Sequence, residues 1–127
     1  MVIVPAYAVL FACLFLVLSV STIRARRTAK VAIGVGGDRV LERLSRVHAN
    51  FAEYVPFTLL LIAFAEMRGI LHIAIHLLCL ALLIGRLVHA WGVSNTSENF
   101  RFRVIGMIFT LNTIGATTLI IAVSYFI

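Results

Sequence analysis

Residues 42–56 read ERLSRVHANFAEYVP, and the apolar segment FTLLLIAFAEM follows without a break. At 100° per residue, Arg46, Asn50 and Glu53 lie within about 60° of one another on one face of a helix. A cation, an amide and a carboxylate are costly in hydrocarbon, and such groups usually face the interior of a helix bundle or a water-filled cavity. This polar face, at the mouth of a membrane helix, indicates both the fold class and the place where function should be sought.

The composition is that of an integral membrane protein. The 127 residues are 62% hydrophobic and 13% charged, with a mean hydropathy of +1.09, whereas soluble domains carry about 25% charged residues. We predict an all-α fold, a four-helix bundle formed as a single domain over residues 1–127. The predicted spans, each long enough to cross roughly 30 Å of hydrocarbon, are residues 2–23, 49–67, 69–93 and 104–127.

The connections between the spans carry local signals of their own. Glycines at 34, 36 and 37 end the first helix in a loop, and Asp38 is predicted to cap the second helix. A short polar turn is expected over residues 94–98. Because the positive charges of the first segment follow its apolar run, we interpret that segment as a retained span and not as a signal peptide.

Basic residues are concentrated at one side of the predicted bundle. Of the eleven Lys and Arg residues, only Arg68 lies at the opposite side. The positive-inside rule then places both basic connections in the cytoplasm and both termini outside. Orientation and contact with anionic lipid explain the net charge of +6, so nucleic-acid binding is not needed to account for it.

Two hypotheses explain the polar face of residues 46–53. In the first, its side chains bond to one another and to neighbouring helices, with each bond contributing about 1 kcal/mol. In the second, they bind a zwitterionic, peptide-like ligand: Arg46 holds a carboxylate, Asn50 an amide and Glu53 an ammonium. We favour the second hypothesis.

Further cations follow in the third and fourth segments. Arg86 and His89 lie three residues apart, and Arg86 could snorkel to the headgroups, join the site or neutralise Glu53 or Glu42. Arg103 lies directly against the apolar run VIGM. A partly desolvated guanidinium at that position could stabilise a bound thiolate.

Other chemistries are less well supported by the sequence. His72, His76 and Cys79 share a helical face but lack a fourth ligand, so we predict no metal site, and no disulfide between Cys79 and the other cysteine. A haem held by His48 and His89 would lie too near the cytosolic edge. A channel or transporter would need a polar track through the outer halves of the spans, which the sequence lacks.

The chain resembles the family of membrane-associated proteins in eicosanoid and glutathione metabolism (MAPEG). The similarity covers nearly the whole chain and is greatest to small bacterial inner-membrane members, so we expect an inner-membrane location. The motifs that carry it are Glu42-x₃-Arg46-x-His48-x-Asn50-x₂-Glu53-Tyr54-x-Pro56, Gly85-Arg86-x₂-His89, Arg103-x₃-Met107 and the basic run Ala25-Arg26-Arg27.

The resemblance implies a homotrimer that binds glutathione as cosubstrate between neighbouring subunits, near the cytosolic side. Arg103 matches the arginine that stabilises the thiolate in the family and is the predicted catalytic residue. The predicted glutathione-binding residues are Arg26 from a neighbouring subunit, together with Arg46, Asn50, Glu53, Tyr54, Arg86 and His89.

The implied activity is that of a glutathione transferase of the microsomal type, or a peroxidase, acting on lipophilic small molecules from the membrane lipid. Val93 and Met107 stand where family members often carry tyrosines, so thiol activation would rest on Arg103 with fewer helpers. The alternative is a non-catalytic accessory protein of the same fold that binds glutathione or lipid.

Overall fold

Four long helices dominate the computed structural model, which describes residues 2–94 and 100–126. The helices are α1 (Ile3–Ala29), α2 (Arg39–Met67), α3 (His72–Ser94) and α4 (Phe100–Val123). All four are long and apolar enough to cross a membrane. The predicted all-α, four-helix membrane fold is therefore confirmed, while the polar turn expected over residues 94–98 lies, beyond its first residue, outside the described residues.

The helix ends follow the local sequence signals closely. Asp38 caps α2, as predicted, with its side chain accepting a hydrogen bond from the Leu41 N–H at 2.8 Å. At the end of α1, Lys30 adopts a left-handed conformation with φ 53°. Both α1 and α2 extend beyond their predicted apolar spans, so the basic residues between them are carried partly on helix ends that project from the hydrocarbon.

Glu66, near the C-terminal end of α2, caps the N-terminus of α1. Its carboxylate accepts hydrogen bonds from the N–H groups of Val2, Ile3 and Val4 at 2.6, 2.7 and 2.9 Å. These N–H groups have no carbonyl partner within their own helix, and a carboxylate at a helix N-terminus also interacts favourably with the helix dipole. The buried acid therefore fixes the N-terminus of α1 against the C-terminal end of α2.

The core between α1, α2 and α3 is apolar, with Phe11, Phe51, Ile62 and Leu82 among its buried side chains. The buried face of α4 is different, because it consists mainly of threonines. Thr110, Thr113 and Thr117 each donate a hydrogen bond to the carbonyl four residues earlier. Their hydroxyls are thus satisfied within α4 and need no partner from another helix.

Close contact between α3 and α4 depends on glycine. A Cβ atom added at Gly106 would lie 2.6 Å from the Cβ of His89 and 2.7 Å from the carbonyl oxygen of Gly85. A Cβ added at Gly85 would lie 2.7 Å from the Cβ of Phe109, and one at Gly92 would lie 2.6 Å from that of Phe102. Small residues allow backbones in membranes to approach closely, and here they fix the distance between α3 and the first turns of α4.

Candidate functional site

The polar face of residues 46–53 opens onto a cavity of about 610 Å³. Helix α2 supplies most of the wall. His89 and Val93 of α3 and Arg103, near the start of α4, complete it. A volume of this size is typical of small-molecule sites. The residues that line the cavity are Arg39, Glu42, Arg43, Arg46, Ala49, Asn50, Glu53, His89, Val93 and Arg103.

The close packing of α3 on α4 brings His89 and Arg103 to the same cavity. His89 is buried, at 5% exposure, and its Cβ lies against Gly106. Arg103 precedes that glycine by three residues and lies at an exposed position. The glycine contact therefore sets the spacing between the imidazole on α3 and the guanidinium on α4.

The charged members of the polar face remain unpaired in this structure. Among residues 2–94 and 100–126, neither Arg46 nor Glu53 forms a hydrogen bond or an ion pair, and both are exposed. Asn50 does form an interhelical bond of the kind that the first hypothesis expects, to Arg86 on α3, whereas Arg46 and Glu53 form none. Opposite charges instead face one cavity without touching.

Arg86 lies behind the cavity and does not line it. Its side chain is only 1% exposed. One terminal nitrogen, Nη1, donates to Asn50 Oδ1 at 2.6 Å, and the other, Nη2, donates to the carbonyl oxygen of Gly106 at 3.1 Å. Among residues 2–94 and 100–126, Arg86 therefore bonds to no carboxylate, and its burial keeps it from the headgroups; these were two of the roles expected from the sequence.

Two further predicted contact residues, besides Arg86, lie away from the lining of the cavity. Tyr54 is half-buried on α2, one position beyond Glu53. Arg26 donates from Nη1 to the carbonyl oxygen of Gly34 at 2.8 Å, within the loop that follows α1. The predicted role of Arg26 belongs to a neighbouring subunit, so its placement within one chain neither supports nor opposes that role.

The two positions that depart from the family pattern also have defined surroundings. Val93 is buried at 6% exposure and contributes aliphatic surface to the cavity. The sulfur of Met107 lies 3.6 Å from Nη2 of Arg86. Neither side chain supplies a hydrogen-bond donor to a group bound in the cavity.

Two of the histidines that suggested metal or haem chemistry, His76 and His48, have other partners. His76 Nδ1 lies 3.3 Å from the hydroxyl of Tyr7, and His48 Nε2 lies 3.0 Å from that of Ser19. The ring of His48 also stacks on Phe15 with centroids 4.8 Å apart. Across the described part of the chain, no group of three His, Cys, Asp or Glu residues is placed to hold a metal ion.

Sequence reasoning missed the part of the cavity wall nearest the start of α2. Arg39, Glu42, Arg43 and Ala49 line the cavity, although only Glu42 was considered, and then as a partner for Arg86. The signal was present, because positions 39, 42, 46, 49 and 53 follow the same spacing of three and four residues that marks one helical face. The polar face simply begins two turns earlier than the segment singled out from the sequence.

Comparisons with known proteins agree with this architecture. The model of the MAPEG family matches residues 4–123. The chain is 39% identical over 101 residues to the inner membrane protein YecN of Escherichia coli K12, a match that covers 80% of this chain and 76% of YecN. YecN of Escherichia coli O6:H1 matches to the same extent. Together with the four membrane-capable helices, these matches confirm the predicted inner-membrane location, and the chain belongs to the MAPEG family.

Proposed function

We propose that this protein is a membrane-bound, glutathione-dependent transferase or peroxidase that acts on lipophilic electrophiles. The observation that carries the proposal is the cavity of about 610 Å³ into which Arg46 and Glu53 face without a partner among the described residues. Unpaired charges of both signs around one cavity are suited to a zwitterionic ligand. A purely structural polar ladder would have paired them.

Glutathione also matches the cavity in net charge. Four arginines and two glutamates line the cavity, which gives it a net charge of +2. Glutathione carries two carboxylates and one ammonium, so that its thiolate form has a net charge of −2. We assign a carboxylate to Arg46, the ammonium to Glu53 and an amide group to Asn50, because charge-assisted hydrogen bonds are the strongest available here.

Arg103 is the residue that we assign to the glutathione sulfur. A guanidinium at the edge of the apolar phase stabilises a thiolate more strongly than it would in water. In conjugation, the sulfur bonds to an electrophilic carbon and the leaving group departs with the bonding electron pair. With a hydroperoxide, the sulfur takes the outer oxygen as the alcohol departs, and a second glutathione then forms the disulfide and releases water.

We further propose that the working unit is a homotrimer with both termini outside. The cavity of one subunit is open to the surface, and Arg46 and Glu53 are exposed there. Charged groups at membrane depth are normally covered by protein or water, so a neighbouring subunit is the natural second wall. That wall would contribute Arg26 from the cytosolic end of its first helix.

One observation favours a second candidate, an accessory protein that binds glutathione or lipid without turnover. Met107 contacts Arg86 and supplies no donor for a thiol, and Val93 presents only methyl groups to the cavity. Binding through α2 would survive these substitutions. Thiol activation would depend on Arg103 alone.

The experiment that tests the proposal is turnover of an aryl halide and of an organic hydroperoxide with glutathione, using purified protein in lipid nanodiscs. We expect activity in the wild type and its loss in Arg103→Ala. The matched control is Arg101→Ala, which removes an arginine two positions away and outside the cavity lining. Unchanged activity in Arg103→Ala would refute the catalytic assignment, and saturable glutathione binding without turnover would favour the accessory role.

A further inference from the structure

The buried guanidinium of Arg86 leaves little freedom to the side chain of Asn50. Its 2.6 Å bond to Asn50 Oδ1 is short, and Arg86 itself is held at 1% exposure. Arginine has five N–H donors and no acceptor. The atom of Asn50 that faces Arg86 must therefore be the carbonyl oxygen, and the NH₂ group must point away from it.

The other end of the Asn50 amide is free. Within residues 2–94 and 100–126 its Nδ2 has no hydrogen-bond partner, and the side chain lines the cavity. Nδ2 is accessible and not buried. The buried side-chain atoms without a partner in this part of the chain are Ser45 Oγ and Arg86 Nε. The amide therefore presents its two N–H donors to the cavity, while its oxygen is engaged by Arg86.

We propose that Arg86 is a positioning residue that holds Asn50 as a hydrogen-bond donor, so that the ligand group beside Asn50 is a carbonyl or carboxylate oxygen. This inference rests on the proposed function and narrows it. A peptide-like ligand can meet Asn50 with either its N–H or its C=O, and the orientation imposed by Arg86 selects the C=O.

The same guanidinium connects Asn50 to the helix that carries Arg103. Arg86 Nη2 donates to the carbonyl oxygen of Gly106 at 3.1 Å, and that carbonyl also accepts the Thr110 hydroxyl at 2.9 Å. Because Gly106 follows Arg103 by three residues, Arg86 fixes Asn50 on α2 relative to Arg103 on α4. Arg86, which lies behind the cavity, thereby sets the distance between the Asn50 amide, which meets the peptide group, and the Arg103 guanidinium, which meets the sulfur.

The decisive variant is Asn50→Asp, studied by glutathione titration in nanodiscs. The introduced carboxylate keeps an oxygen for Arg86 but replaces the NH₂ donors with a second acceptor. We expect glutathione affinity to fall at least tenfold while the melting temperature is maintained or raised, since a carboxylate bonds more strongly to Arg86. Wild-type affinity in Asn50→Asp would overturn the inference, because it would mean that Asn50 accepts from the ligand or does not contact it.

A double-mutant cycle separates positioning from a general structural effect. If Arg86 acts through Asn50, Arg86→Met should lower affinity about tenfold in the wild type but at most twofold in the Asn50→Ala background. Equal losses in both backgrounds would overturn the positioning role. Should Arg86→Met fail to fold, the Asn50→Asp result decides alone.

The failure of the proposed function would look different. A wild-type protein that binds no glutathione would refute that function. The contact between Arg86 and residue 50 would then be tested by the melting temperature, which Asn50→Asp should maintain or raise because a carboxylate bonds more strongly to the guanidinium. A lower melting temperature in Asn50→Asp would show that Arg86 does not bond to this side chain and would overturn the positioning role.

Discussion

The cap that Glu66 provides to α1 can be tested by replacing the carboxylate with an amide. In Glu66→Gln one oxygen remains where two oxygens now accept three N–H groups at 2.6–2.9 Å. Bonds to a charged acceptor contribute about 1.5–3 kcal/mol and bonds to a neutral one about 0.5–1.5 kcal/mol. Two weakened bonds and one lost bond therefore predict a loss of about 3 kcal/mol in the free energy of unfolding.

The matched control is Glu53→Gln, the same chemical change on the same helix. Glu53 forms no hydrogen bond or ion pair with any residue that the structure describes, so its substitution should leave stability unchanged. Unfolding by dodecyl sulfate in mixed micelles, followed by circular dichroism and by the fluorescence of Trp91, measures both variants. A Glu66→Gln protein as stable as Glu53→Gln would refute the assignment of Glu66 as the cap of α1.

Three further predictions concern packing and binding. Gly106→Ala should separate α3 from α4 and lower both stability and glutathione affinity, whereas Gly115→Ala, where an added Cβ meets nothing within 4 Å, should do neither. Arg46→Ala and Glu53→Gln should each lower the affinity for glutathione about fivefold or more in calorimetric titration, since each leaves a charged group of the ligand without its partner. Wild-type affinity in both variants would mean that glutathione binds elsewhere. Leu82→Ala, at a position with 0% exposure, should cost about 2–5 kcal/mol in dodecyl sulfate unfolding, and a neutral result would mean that the site can collapse around the smaller side chain.

The sequence predicted the fold because hydrocarbon imposes strict demands on it. Four predominantly apolar runs of the right length leave little choice of architecture, and the local position of Asp38 is enough to predict it as a cap. The start of α4 at Phe100 was harder to predict, because Phe100–Arg103 mixes aromatic and basic residues that lie outside the purely apolar span. Hydropathy does not indicate where a helix begins when its first residues lie outside the hydrocarbon.

The part of the candidate site that lies on a single helix could be predicted from the sequence. The contacts between residues of different helices could not. The spacing of Arg46, Asn50 and Glu53 is enough by itself to place them on one face. The role of Arg86 could not be read in this way, because its partners lie on α2 and α4, at sequence separations of 36 and 20 residues. Glu66 was obscure for the same reason, since the amides that it caps are more than 60 residues away.

The excess of arginine over glutamate around the cavity has a consequence for the empty protein in solution. Four arginines against two glutamates attract small anions from solution, and chloride then competes with an anionic ligand for the same guanidinium groups. Binding then displaces those counterions, and it becomes weaker as ionic strength rises and the Debye length falls below about 10 Å. Affinities measured at different salt concentrations should differ for this reason alone, and the steepness of that dependence reports how many arginines the ligand reaches.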